Sequence, residues 1–159
     1  MIDPDAISFD DLTNVPRATL TAHMRDPRVT RHLPLLAEPW SDRMTDQFLA
    51  TKTACWQRDG LGHWAFRLKG LYVGWGGFQK EGDDWDYGLV LTHDGFGLGL
   101  PITHKALAFA RNDPRIPYVT FLLPPSRRHF GALRRFGAQA LEPVLHDGQS
   151  FLKFRVETT

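Results

Sequence analysis

The run Trp85-Asp86-Tyr87-Gly88-Leu89-Val90-Leu91-Thr92-His93-Asp94-Gly95-Phe96-Gly97-Leu98-Gly99-Leu100 constrains the fold more than any other stretch of this chain. It reads as a strand, apolar at Leu89, Val90 and Leu91, then a glycine-rich loop, then a helix. The helix is expected from about Leu98 to Asn112. Leu98, Ile102, Ala106 and Phe109 recur there at i, i+4, i+8 and i+11, one apolar stripe. Pro101 falls in its first turn, where a missing N–H costs little. Pro114 and Pro117 bracket the exit, and Tyr118 to Leu123 reads as the next strand. A strand–helix–strand unit of this kind implies a locally parallel pair.

Glycines let backbone N–H groups turn toward a ligand with no Cβ in the way. The start of the helix adds free N–H donors and the positive end of its dipole. Together they make an anion site suited to a pyrophosphate. By spacing alone, an ordinary tight turn is an equal reading. No Gly-Lys-Ser/Thr follows, so this is not a Walker A loop. The dinucleotide fingerprint also fits poorly, because no acidic residue ends a following strand.

The rest of the chain supplies alternating helices and strands. The N-terminal part reads as helical: Pro16 opens a helix toward Met24, Asp26-Pro27 ends it, and a short turn through Val29 and Leu33 stops at Pro34. Ser41 reads as an N-cap, with Met44, Phe48, Cys55 and Trp56 at helical spacings and Asp59-Gly60 closing the helix. His63–Lys69 and Leu71–Gln79 read as strands. Gly74, Gly76 and Gly77 mark a bulge or a close backbone approach in the second. Glu81 to Asp84 is a turn, and Trp85 to Thr92 a third strand. Ser126 caps a helix to Phe136, closed by Gly137. Gln139–Leu145 and Phe151–Val156 form a closing hairpin around Asp147-Gly148.

The 159 residues suit one domain, 1–159. With 19 basic against 18 acidic residues, the net charge of +1 gives no pull toward nucleic acid or an anionic membrane. No apolar run of ~18 residues exists to span a membrane. The acidic start, Met1-Ile2-Asp3-Pro4-Asp5, is not a signal peptide, so a cytoplasmic protein is expected. The single Cys55 excludes an internal disulfide, and the seven histidines show no ligand spacing, so no metal is expected.

The run from Asp86 to Leu100 resembles the coenzyme A-binding motif of GNAT (GCN5-related) N-acetyltransferases, and more narrowly of the RimJ/RimL-like branch. Asp86 and Gly88 stand for that branch's Glu and Gly, Phe96 for its Trp, and Gly97 and Gly99 for its paired glycines. Asp26 to Leu33, Trp64-Ala65-Phe66 and Ser126 to Gly137 resemble flanking motifs, so the likeness covers roughly residues 20 to 156. Departures are Asp94 for Arg or Gln, Leu98 for Lys, Thr103 for Glu, Ser126 and His129 for Asn and Ser, Ala138 for Phe, and Leu133 at a Tyr register.

The resemblance implies a mixed α/β fold. Its central sheet, mostly antiparallel and of about six to seven strands, splays at two parallel central strands and is flanked by about four helices. It implies acetyl-CoA as cosubstrate, with main-chain contacts at Leu89, Val90 and Leu91. Gly95, Gly97, Leu98, Gly99 and Leu100 would offer pyrophosphate amides, and Asp94 and Ser126 would lie in the same site. Acyl transfer to an amine needs a base, and Asp86 is the candidate, acting through water. Its alternative is a solvated carboxylate at a strand end. His129 or Tyr118 would reprotonate the thiolate. The reaction implied is N-acetyl transfer to an amine acceptor by direct attack in a ternary complex. The acceptor has no readable code. Two alternatives stay open: a non-catalytic acyl-CoA-binding module, and an interaction protein using Arg127, Arg128, Arg134 and Arg135 on one helix face. Exposed edges in the closing hairpin would allow a homodimer.

Overall fold

The computed structural model describes residues 3–33, 36, 38–125 and 130–159. The strands, in chain order, are β1 (Ile7–Asp10), β2 (His63–Leu68), β3 (Leu71–Glu81), β4 (Asp84–Leu91), β5 (Tyr118–Leu123), β6 (Gln139–His146) and β7 (Gln149–Glu157). They form one seven-stranded sheet in the order β1-β2-β3-β4-β5-β7-β6. The helices are α1 (Arg17–Arg25), α2 (Pro27–Thr30), α3 (Asp42–Asp59), α4 (Gly99–Arg111) and α5 (Gly131–Arg135). All strand pairs are antiparallel except β4–β5, which the α4 crossover makes parallel.

Local chemistry accounts for the element ends. The Ser41 hydroxyl accepts from the Met44 N–H and caps α3, and Gly60 closes that helix in the left-handed region. Asp26 caps α2 through the Arg28 N–H, with Pro27 at the first helical position. Helix α4 buries Ile102, Ala106, Leu107 and Ala110 against Phe78, Tyr87, Val119 and Phe121 on one face of the sheet. On the other face Leu12, Val15, Leu20 and Ala65 pack with Phe48, Leu49 and Trp75, beneath α1 and α3. The glycines of β3 mark a close approach, and the β2–β3 register also slips beside Gly74, where Val73 is left without a partner residue on β2. A Cβ on Gly76 would sit 2.1 Å from the Gly88 carbonyl oxygen, so only glycine fits where β3 crosses β4.

Several expectations need correction. The N-terminal part is not wholly helical: Ile7–Asp10 pairs with β2 as an edge strand and buries Ile7. Four residues carry too short an alternation to be read locally. Glu81 and Asp84 belong to strands, and only Gly82 and Asp83 form the turn. The helix expected from Ser126 is described only over Gly131–Arg135, and Ser126, Arg127, Arg128 and His129 lie outside the described residues. Pro34 does too. Strand β6 forms an outer edge of the sheet. Its register is interrupted between Leu141 and Val144, where Pro143 has no N–H to offer.

Candidate active site

Strands β4 and β5 pair only at Asp86–Thr120 and Tyr87–Phe121. Beyond Tyr87, β4 continues through Leu89, Val90 and Leu91 still paired to β3, at Gly76, Trp75 and Gly74, but no longer to β5. The two strands therefore open into a V. In an extended strand, alternate residues aim their N–H and C=O to opposite sides. Part of the backbone from Leu89 to Leu91 consequently faces the gap, with no strand pairing on that side among the described residues.

A cleft of about 820 Å³ occupies the V. Gly88 to Leu91 line one wall and Phe121 to Pro124 the other, with Leu100 and Thr103 of α4, Leu133 and Phe136, and Arg31 and His32 around them. The surface is largely apolar, and among the described residues Arg31 is the one permanent cation lining it. At the mouth, His93–Gly95 forms a short 3-10 turn and α4 begins. The Gly95 N–H is already bonded to Thr92, and the Leu98 N–H to the Gly95 carbonyl. Gly97, Gly99 and Leu100 keep N–H groups without a recorded partner among the described residues. Asp94 is exposed on the turn. Leu98, rather than facing out, is buried in the core.

Asp86 lies at the closed end of the V, on the face of the sheet opposite Tyr87. Thr120 Oγ1 donates to its Oδ1 at 2.9 Å. Burial, reinforced by the nearby charges of Glu81 and Asp84, raises its pKa to about 7 against the opposing Thr120 hydrogen bond and Lys153. A second, smaller cleft of about 260 Å³ opens there between Glu81, Asp84, Asp86, Thr120, Leu145, His146 and Lys153. Leu122, just past the point where β4 and β5 part, lines both clefts. Lys153 is held by Asp84 at 2.7 Å, which leaves Asp86 without a cation of its own among the described side chains.

Sequence reasoning missed four polar groups here. Tyr87 and Thr103 hydrogen-bond each other at 2.9 Å inside the core, so Thr103 has a partner in place of an ion pair. Thr120 supports Asp86. His63 is buried beside Gly88, and among the described residues neither of its ring nitrogens has a hydrogen-bond partner. Tyr118, considered as an acid, instead donates to Asp84 at 2.8 Å at the other end of β5. Arg134 and Arg135 are exposed, while Leu133 is buried and Phe130 and Phe136 are half-buried, so the described part of that amphipathic segment points as its pattern implies. Among the described residues no three His, Cys, Asp or Glu side chains gather to hold a metal ion, and no helix is long and apolar enough to cross a membrane.

An open sheet split at its one parallel pair, with free helix-start amides at the mouth, offers an extended cleft that ends in an anion site. The acetyltransferase (GNAT) domain family matches residues 10–138, and the chain belongs to that family. Among curated proteins no sequence match was found. Solved structures share the architecture. Spermidine N-acetyltransferase from Vibrio cholerae, in complex with CoA and spermine, superposes with a TM-score of 0.75 at 6% identity, over 97% of this chain and 96% of that one. An acetyltransferase from Agrobacterium tumefaciens gives 0.73 at 18% identity, over 95% and 90%. RimL, the ribosomal L7/L12 α-N-protein acetyltransferase, in complex with coenzyme A, gives 0.71 at 11%, over 96% and 94%. Coenzyme A fits what the chain offers: an apolar cleft between parted strands, and three free amides where a pyrophosphate would sit.

Proposed function

We propose that this chain, acting as one domain over residues 1–159, transfers an acetyl group from acetyl-CoA to a primary amine. The attack is direct, with both substrates bound. The observation that carries this is Asp86: a carboxyl with a pKa near neutrality, lining the smaller, acidic cleft two residues before Gly88, where the wall of the large apolar cleft runs on along β4. A base works best when its pKa lies near the working pH. Amine acceptors fit the pair of clefts, because Glu81 and Asp84 favour a cation next to Asp86. Two structural relatives point the same way: one is a spermidine N-acetyltransferase in complex with spermine, and RimL is an α-N-protein acetyltransferase.

The roles divide as follows. Free amides at Gly97, Gly99 and Leu100 hold the pyrophosphate at the start of α4. Backbone from Leu89 to Leu91 pairs with the pantetheine arm, and one of its N–H groups steadies the oxyanion. Asp86 takes a proton from the incoming ammonium, directly or through water. Bound acetyl-CoA supplies a thioester, an activated acyl donor. Of the two protons the amine loses, one ends on sulfur and one reaches solvent through Asp86. His129 and Ser126 are assigned to the thiolate and the cofactor by the resemblance alone.

The test is to incubate the protein with acetyl-CoA and a panel of amines while following release of free thiol. Thiol release that depends on the amine supports the reading. A rise in melting temperature with CoA, but no turnover with any amine, would replace it by an acyl-CoA-binding module.

A further inference from the structure

His63 opens β2 on the face of the sheet beneath α3. Its register partner on β3 is Gly77, and Gly77 in turn pairs with Gly88 on β4. With no side chain at either glycine, the imidazole reaches across to β4. A Cβ placed on Gly88 would lie 3.3 Å from Cε1 and 3.5 Å from Nε2 of His63. Apart from the adjoining residues, no other described atom comes within 4 Å of that point. Gly88 is the first residue of β4 past its pairing with β5, and it lines the large cleft. The ring of His63 is thus turned toward the base of the V, on the same face of β4 as Asp86.

His63 is only 6% exposed, yet among the described residues neither ring nitrogen has a hydrogen-bond partner. Buried polar groups in native proteins nearly always have a partner, so a ring left this way calls for an occupant such as a water or a ligand. Its surroundings do not offer a bond. The Trp75 ring lies 5.5 Å away, centroid to centroid. Lys52, whose charge acts on the ring, is spent on Gln79 at 2.8 Å and sits over the rings of Phe48 and Trp75. Burial and the Lys52 charge keep the imidazole neutral. A neutral imidazole always has one nitrogen free to accept a hydrogen bond.

We infer that His63 is an acceptor-binding residue: its free ring nitrogen accepts a hydrogen bond from the amine as it enters beside Gly88 on the α3 side of the sheet. This rests on the acyl-transfer reading above. The amine is then held between two acceptors, His63 on one side and Asp86 on the other, at the point where the strands part. A neutral ring suits this task, since an imidazolium would repel an ammonium.

Three variants, two at His63 and one at Gly88, test it. His63→Phe keeps a flat ring and removes both nitrogens, and His63→Gln keeps a donor and an acceptor. Initial rates of thiol release would be measured at saturating acetyl-CoA with spermidine, kanamycin and a hexapeptide bearing a free N-terminal serine, each varied in turn. The CoA-induced shift in melting temperature would be recorded alongside. For the best wild-type substrate, His63→Phe should raise the amine KM at least tenfold. It should leave the CoA-induced shift unchanged and the unliganded melting temperature unchanged or higher, and His63→Gln should recover part of the loss. Gly88→Ala, whose methyl would press on the same ring, should raise the amine KM in the same way. An amine KM and kcat within twofold of wild type in His63→Phe would overturn the assignment. So would a loss of CoA binding that matches the loss in amine KM, because that is the mark of a structural role. If wild-type protein itself releases no thiol with any of the three amines, the acyl-transfer reading falls too, which sets that failure apart from the failure of His63 alone.

Discussion

The Thr120 hydroxyl donates to Asp86 Oδ1 at 2.9 Å across the two-residue register that joins β4 to β5. That bond favours the ionised carboxylate, but burial outweighs it, and the carboxyl is left with a pKa of about 7. An acid held near neutrality at the closed end of a V-shaped cleft can exchange protons in either direction at physiological pH. Thr120 also ties Asp86 to the strand whose departure opens the site.

Removing the carboxylate should therefore remove catalysis more than binding. Asp86→Asn is expected to lower kcat by about 10²- to 10⁴-fold, the usual contribution of a positioned base. The CoA-induced shift in melting temperature should be preserved. In wild type, kcat/KM should rise with pH through about 7 as Asp86 ionises. A profile that is flat from pH 5.5 to 8 would remove Asp86 from the mechanism.

The same residue should cost stability at high pH. Its folded pKa, about 7, lies above the ordinary carboxylate value of 3.8. Between those values the folded state binds more protons than the unfolded one, so this contribution to stability falls as pH rises. Asp86→Asn should thus melt higher than wild type at pH 8, and the advantage should vanish by about pH 4. Thermal denaturation of both proteins at the two pH values measures it.

Tyr87 and Thr103 should behave as a coupled pair. Tyr87→Phe or Thr103→Val alone leaves a buried hydroxyl without its partner and should cost about 1–3 kcal/mol. The double variant should cost less than the sum of the two, which a double-mutant cycle by urea denaturation would show.

Gly76→Ala probes the crossing of β3 and β4. The added methyl would meet the Gly88 carbonyl oxygen at 2.1 Å, at a residue whose φ of 157° disfavours a side chain. A loss of about 2–4 kcal/mol is expected. Gly82→Ala, where nothing lies within 4 Å, should cost less, since only its turn conformation is strained.

How much of this was legible in the sequence depends on the range of the interaction involved. The cap at Ser41, the apolar stripe of α4 and the strand–glycine loop–helix unit from Asp84 to Arg111 are signals within a few residues of one another, and they were read close to their observed bounds. Strand β1 was not legible, because its four residues owe their conformation to pairing with β2, more than fifty positions away. The loop amides show the same limit. Sequence spacing offered Gly95, Gly97, Leu98, Gly99 and Leu100 alike. Folding commits the N–H of Gly95 to Thr92 and that of Leu98 to Gly95, which leaves three.

The sequence by itself determined that this chain makes a strand, a glycine turn and an amphipathic helix around Gly95–Gly99, because glycine freedom and helical periodicity are local properties. Tertiary structure alone decided where the two parallel strands part, and that Asp86 sits there with a raised pKa. It also decided that His63 is turned toward Gly88 with its nitrogens free. Those features depend on register and burial between segments distant in the chain, and no residue's identity carries them in advance.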